Sequence, residues 1–373
     1  MQGNRTVTGQ GDGEVIPDIA FTPYRSPLTD CLKQNVAEIA KQVEGYEHYH
    51  KIRKRKRRPE DKVIFEETVS AIVCDLMYNY LRSPEQKVFM GLSHQTLGTK
   101  SRYRPRCLGK KFPHVLEALS SIDLGFVGMV KGKQRARWVE DENGQYRITG
   151  KQTTVWPKQK LIARIERSGI ALSDFGRSES EEVIHLKRSK RDLNDRGELV
   201  EYNDNDITRK YREEVRTINR WLATANLTVL NNEVDPHDRH LRRIFNNGRF
   251  DQGGRIYGGF WQTMKSELRS SDIRIDDSPI AELDYAQMLL RLCYGKVGKQ
   301  PPPGDLYEVP GLSNHGADRK GIKQVINAVM FASNPLKRLP KGSRQYFPMD
   351  LRFEEILHAV TRHHQPVAHL LFS

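Results

Sequence analysis

The sequence predicts an α+β protein of two domains: an N-terminal helical module, then a mixed domain of short strands and helices. Three observations carry this. The 373 residues exceed what one hydrophobic core usually serves. Apolar residues recur at helical spacing in "LTDCLKQNVAEIAKQVEG", "FEETVSAIVCDLMYNYLR" and "DITRKYREEVRTINRWLATANLTV". Short strand-like runs bounded by glycine, "LGFVGMVKG" and "IRIDDSPIAELDY", fall between such stretches.

Residues 1–58 form the first expected part, a flexible polar and basic arm with one helix. "MQGNRTVTGQGDGEV" is rich in turn formers, and the helix after it carries Leu32, Val36, Ile39, Ala40 and Val43, with Thr29 and Asp30 as caps. "KIRKRKRR" then places seven basic side chains in eight positions, among them Lys54 and Arg55. Such a run contacts phosphates without reading sequence, or serves as a solvated linker.

In residues 59–172 a long helix (Val69, Ile72, Val73, Leu76, Met77, Tyr80, Leu81) stops at Ser83-Pro84. A short helix in "SHQTLG", a basic connection, a helix with Val115, Leu116, Leu119 and Ile122, and two strands follow. Helix, helix, two-stranded wing is the order of a winged helix-turn-helix, with Lys100, Arg102, Arg104, Arg106, Lys110 and Lys111 near its recognition element. The competing assignment is a small α/β domain with a basic surface. Residues 173–206 are expected as a charged linker with one strand candidate, Val183–Leu186. The second domain, 207–373, opens on a helix with Ile207, Tyr211, Val215, Ile218, Trp221 and Leu222 on one face and Asp206 as cap.

Lys plus Arg total 61 against 47 Asp plus Glu, a net charge of +14, which favours a polyanionic partner, DNA first. Cys31, Cys74, Cys107 and Cys293 form no C-x-x-C pair, which argues against a zinc ribbon and a disulfide framework and for a reducing compartment. No apolar run suits a signal peptide or membrane span, so a cytoplasmic protein without a membrane partner is expected. Nothing points to a protein partner.

Chemistry-bearing residues concentrate between 243 and 332. Gly253-Gly254 and Gly258-Gly259 allow close backbone approach, Arg249 and Arg255 suit phosphate, and Tyr257, Phe260 and Trp261 offer flat faces for bases. "IRI", a turn at Asp276–Pro279 and "IAELDY" suggest a hairpin that delivers Asp284 to a strand-to-helix corner. Asp284 there is a helix cap or a hard-oxygen ligand for Mg²⁺. Arg319, Lys323, Asn327 and Phe331, four apart, share a helix face suited to a triphosphate and a base.

The two segments in this order resemble family A DNA polymerases. Asp284-Tyr285-Ala286-Gln287-Met288-Leu289-Leu290-Arg291 is similar to their motif A at Asp, Tyr, Gln and Arg, and Arg319, Lys323 and Phe331 to their motif B. The resemblance implies a polymerase-like palm with short fingers and template-directed, two-metal nucleotidyl transfer from dNTPs onto a DNA primer-template, in a phage or mobile-element setting. Asp284 would hold Mg²⁺ or Mn²⁺ with help from the Tyr285 backbone. Arg319, Lys323, Asn327 and Phe331 would meet the nucleotide, and Arg291 would support the palm. Leu289 stands where the family has a sugar-screening glutamate, and no His-Asp pair follows Lys323 to supply motif C. His237-Asp238 precedes motif A and reads as a surface turn; Asp305, Asp350, Glu354 and Glu355 are the remaining acids considered. A shortened or impaired polymerase is therefore expected. The alternatives are a non-catalytic winged-helix DNA-binding protein with a degenerate polymerase-like domain, and a phosphoester hydrolase. His358, His363, His364 and His369 read as helix-surface histidines.

Overall fold

The computed structural model describes residues 18–93, 97–132, 137–140, 146–149, 152–191, 195, 197–231, 234–332 and 334–371, with the backbone alone at 137–140 and 146–149. Residues 1–17 of the expected N-terminal arm and residues 94–96 of the expected short helix lie outside them. The chain is mixed α and β and divides into two compact units, Met1–Ile280 and Ala281–Ser373. No helix among the described residues is long and apolar enough to cross a membrane.

In the first unit α1 (Asp30–Tyr49) buries the five apolar positions that its period predicts. Thr29 holds the N-cap position, but its hydroxyl donates to Asp174 at 2.9 Å rather than capping the helix. In α2 (Pro59–Arg82) every residue from Ala71 to Asn79 is buried, because this helix is the spine of the largest core and is packed by α1 and α3 (Phe112–Ser120). One polar consequence is Asp75, fully buried, which accepts from Thr22 N and Arg25 Nε at 3.1 Å each.

A four-stranded sheet flanks this core in the order β1 (Ile19–Ala20), β3 (Val88–Met90), β7 (Thr153–Pro157), β4 (Val127–Val130). β1 runs parallel to β3 and the other pairs are antiparallel. Between β4 and β7 lies a hairpin of β5 (Arg137–Glu140) and β6 (Tyr146–Thr149), and α4 (Gln159–Ser168) follows.

The expected linker contributes strands. β8 (Phe175–Arg177) pairs with β2 (Arg25–Pro27), and β9 (Ile184–Leu186) enters a second sheet, because Phe175, Val183, Ile184 and Leu186 are all buried among charged neighbours. On α5 (Asp206–Thr224) the inward row is Thr208, Val215, Asn219 and Leu222, while Trp221 is 69% exposed. The predicted face is thus rotated. Asn219 takes an inner position because its amide exchanges hydrogen bonds with the Leu241 backbone at 2.7 and 2.9 Å. Asn205, not Asp206, caps the helix through Thr208 N at 2.9 Å.

A last small sheet joins β10 (Leu227–Val229), β13 (Ile273–Ile275) and β14 (Ser278–Pro279), with α6 (Ser266–Asp272) leading into β13. The Asp276-Asp277 turn has φ of 48° and 62°, the left-handed pair that tight hairpins require. The second strand ends at Pro279, whose nitrogen cannot donate to a ladder, instead of continuing through "IAELDY".

The second unit is built from α7 (Met288–Lys296), α8 (Pro310–Ser313), α9 (Arg319–Met330), α10 (Phe353–His363) and α11 (Ala368–Leu371). Leu290, Tyr294, Ile322, Val325, Ile356 and Val360 meet in its core. Its described residues contain no β-strand, so Asp284 lies in irregular, exposed backbone rather than at a strand end. His364 corrects the surface assignment of its cluster: it is fully buried, 3.1 Å from the Tyr294 hydroxyl and 2.9 Å from Leu306 O.

Candidate nucleic-acid interface

The sheet of β9, β11 (Arg242–Phe245) and β12 (Gly253–Tyr257) separates its residues cleanly by face. β11 pairs parallel with β9 and antiparallel with β12, so Arg243 stands beside Ile184, and Ile244 beside both His185 and Arg255. Side chains alternate across a strand. One face therefore carries Ile184, Leu186 and Phe245, which form a small core with Val215 of α5, the Tyr211 ring stacking on Phe245 at 5.2 Å. The other face carries His185, Arg242, Ile244, Arg255 and Tyr257.

That second face opens on a groove of about 1080 Å³, whose cationic lining is Lys187, Arg188, Lys190 and Arg242, with Tyr257 and Asn246 beside them. Among the described residues that line it there is no carboxylate. Arg188 is neutralised from outside the groove by Asp195 at 2.7 Å and Glu198 at 3.1 Å. Arg242 and Arg255 are exposed and have no carboxylate partner among the described residues. His185 Nε2 donates to Glu182 O, 3.0 Å away, and burial together with the Arg242 charge lowers its pKa, which keeps it neutral near pH 7.

Glycine makes the corner possible. Ladder register shifts between Ile244 and Phe245, opposite Gly253-Gly254, whose φ values are 84° and 78°. A Cβ on Gly253 would stand 3.2 Å from both the Asn246 backbone nitrogen and Ile244 O, and at a φ of 84° any other side chain is strained, so the position favours glycine.

The other expected nucleic-acid contacts fare differently. Arg102 is spent on structure, pairing with Glu182 at 3.4 Å and Asp204 at 3.2 Å and lying 3.6 Å over the Tyr202 ring. Arg104 is half-buried, and Lys110, Lys54 and Arg55 are exposed. Arg57, in the same basic run, is tied to Glu47 at 2.6 Å and packed over Phe65. Arg249 pairs with Asp251 at 2.9 Å beyond the hairpin, and Trp261 is half-buried against Phe260. The basic connection before α3 is largely compensated, with Arg106 on Glu67 at 2.8 Å and Lys111 on Asp61 at 2.7 Å. The exposed side of α3 offers His114 and Glu117, the latter paired with Lys131.

In the second unit Asp318 caps α9 by accepting from Lys320 N, and Arg319 pairs with Asp305. Lys323 is exposed with its ammonium 5.9 Å from the Tyr307 ring, Asn327 is half-buried and Phe331 is 74% exposed. Asp284 and Tyr285 are exposed ahead of α7. Among the described residues no group of three His, Cys, Asp or Glu side chains is placed to hold a metal. Of the acids considered beside Asp284, Asp305 is taken by Arg319 and Tyr307 N, and Glu355 by Arg352 N.

No family model, curated protein or solved structure matches this chain.

Of the residues on this face, sequence reasoning named Arg255 and Tyr257 but not Arg242, Lys187 and Lys190, which sit in "KRSK" and "HLRRIF" without a motif to mark them. No alternation marked the strand: "LRRIFNN" runs two basic and then two apolar residues, without the period of two that suits a strand with one solvated face.

Proposed function

We propose that this chain is a nucleic-acid-binding protein whose outer face of β9, β11 and β12 grips the backbone while Tyr257 stacks on a base. The observation that supports it is the groove where Lys187, Lys190 and Arg242 converge beside an exposed tyrosine. Cations neutralise phosphates and release counterions, and an aromatic face accepts any base. A single strand, with bases free to unstack, suits such a sheet better than duplex DNA. The order α2, β3, α3, β4, hairpin, β7 supports a winged-helix reading of the N-terminal part, but the exposed side of its α3 carries Glu117, so the sheet is the stronger grip. Fluorescence anisotropy with labelled single-stranded and duplex DNA tests this. Tighter binding of the single strand, weakened about five- to a hundredfold by Tyr257→Ala, is expected; equal binding of both, unaffected by that change, would refute it.

A second reading, template-directed nucleotidyl transfer with Mg²⁺ or Mn²⁺ at Asp284 and dNTPs on α9, is supported by Lys323 and Phe331, both exposed along one helix. Primer extension abolished by Asp284→Ala or Lys323→Ala would sustain it. No extension by the unaltered chain would end it.

A further inference from the structure

The first unit also contains a cavity of about 510 Å³ bounded by α2, the β2–β8 strand pair, α5 and the turn 235–240. Small-molecule sites are commonly about this size. Six arginines line it, and most are accounted for by acids. Arg25 meets Asp75 at 3.1 Å, Arg82 meets Asp235 at 3.4 Å, Arg177 meets Glu181 at 2.8 Å and Arg220 meets Glu213 at 2.5 Å.

Arg216 and Arg239 are the exceptions. Arg216 donates to Glu179 O at 2.7 Å, and Arg239 donates to Ala225 O at 2.8 Å and Ala223 O at 3.2 Å. Backbone carbonyls fix the two guanidinium planes but do not neutralise them, and neither is salt-bridged to a carboxylate among the described residues. Arginines that are partly desolvated and held in place without a counter-ion are what a bidentate phosphate site requires. His237 and His240 share the wall. Burial lowers the pKa of both, that of His240 to about 4, so they face the cavity as neutral hydrogen-bonding groups. Of the lining acids, Glu181 is held by Arg177, and Asp235 accepts from the Tyr78 hydroxyl at 2.7 Å. Glu179 and Asp238 are exposed at the rim, where water screens them.

We infer that this cavity binds the phosphoryl group of a small phosphorylated ligand of nucleotide size, with Arg216 and Arg239 as its anion clamp. The site is separate from the groove beside Tyr257 and does not depend on it.

The test uses the full chain with inorganic pyrophosphate, ATP and a 5′-phosphorylated oligonucleotide set against its 5′-hydroxyl twin, by isothermal titration calorimetry. Pyrophosphate and ATP are expected to bind, and Arg216→Gln with Arg239→Gln to weaken both at least tenfold. Lys33→Ala, on the exposed side of α1, should change neither. A preference for the 5′-phosphorylated oligonucleotide with no binding of free ATP would overturn the small-ligand assignment in favour of a strand end. Amide hydrogen exchange on the unaltered chain needs no variant: pyrophosphate should protect segments 177–183, 216–223 and 235–240. Protection elsewhere, or no binding of pyrophosphate and ATP at millimolar concentration, would overturn the inference.

Discussion

His364 makes the stability of the second unit depend on pH in a defined window. Leu306 O can only accept, so Nε2 of His364 carries the hydrogen and Nδ1 accepts from the Tyr294 hydroxyl. The ring is neutral as folded. Burial, with His363 adding to it, pushes its pKa down to about 4 from 6.5. Because the folded pKa lies below the unfolded one, the unfolded chain binds the extra proton between about pH 4 and 6.5. Stability is complete above that window and is lost as pH falls through it. At about 1.4 kcal/mol per pH unit the loss is bounded at about 3 kcal/mol. All four tryptophans lie in the first unit, so their fluorescence does not see this change. Two assays do: histidine proton NMR, which should place two imidazoles, His240 and His364, near pH 4 and lose one of them in His364→Gln, and hydrogen exchange of α10 amides corrected for intrinsic rate. His364→Gln should lower stability and abolish the pH dependence. An imidazole at 364 titrating near 6.5, or α10 protection unchanged between pH 7.5 and 4.5, would refute the reasoning.

Other outcomes follow from single contacts. Asp75→Ala leaves the Arg25 guanidinium beside Tyr78 without its carboxylate and should cost about 3–5 kcal/mol, Asp75→Asn less, in urea unfolding followed by tryptophan fluorescence. Gly321→Ala, which favours an open helix by about 0.5–1 kcal/mol, should here destabilise by about 1–3 kcal/mol. The new Cβ would stand 2.5 Å from Tyr346 Cβ and 2.9 Å from the Phe347 ring, and far-UV circular dichroism melting would record the loss. Arg102→Ala should lower the melting temperature and leave the salt dependence of nucleic-acid binding unchanged, because that guanidinium already serves Glu182, Asp204 and Tyr202.

Long elements with a clear period were legible in the sequence. The α1 face, the end of α2 before Ser83-Pro84, the α9 helix with its Asp318 start and the Asp276-Asp277 turn all stand where spacing and turn chemistry put them. Polar residues in buried positions were not. Asp75, Asn219 and His364 look like surface residues in one dimension, and each is inside because a specific partner satisfies it. Charge was legible only in bulk. "RYRPR" and "RRIF" are equally basic on paper, yet Arg102 is consumed by acids about 80 to 100 residues away while Arg242 is left on an open sheet face. Which cations remain available depends on acids brought in by the fold, and local spacing carries no record of them.

The central claim is that this open face binds nucleic acid through phosphate neutralisation. Its most direct test is the affinity for a labelled single-stranded oligonucleotide measured across a series of salt concentrations, for the unaltered chain and for Arg242→Ala with Arg255→Ala. Each phosphate contact to a single strand contributes about 0.7 to the slope of log K against log salt, so the double variant should be shallower by about 1.4. Tyr257→Ala should weaken binding at every salt concentration with the slope unchanged. Identical slopes for the unaltered and doubly substituted chains, or no binding even at low salt, would contradict the account.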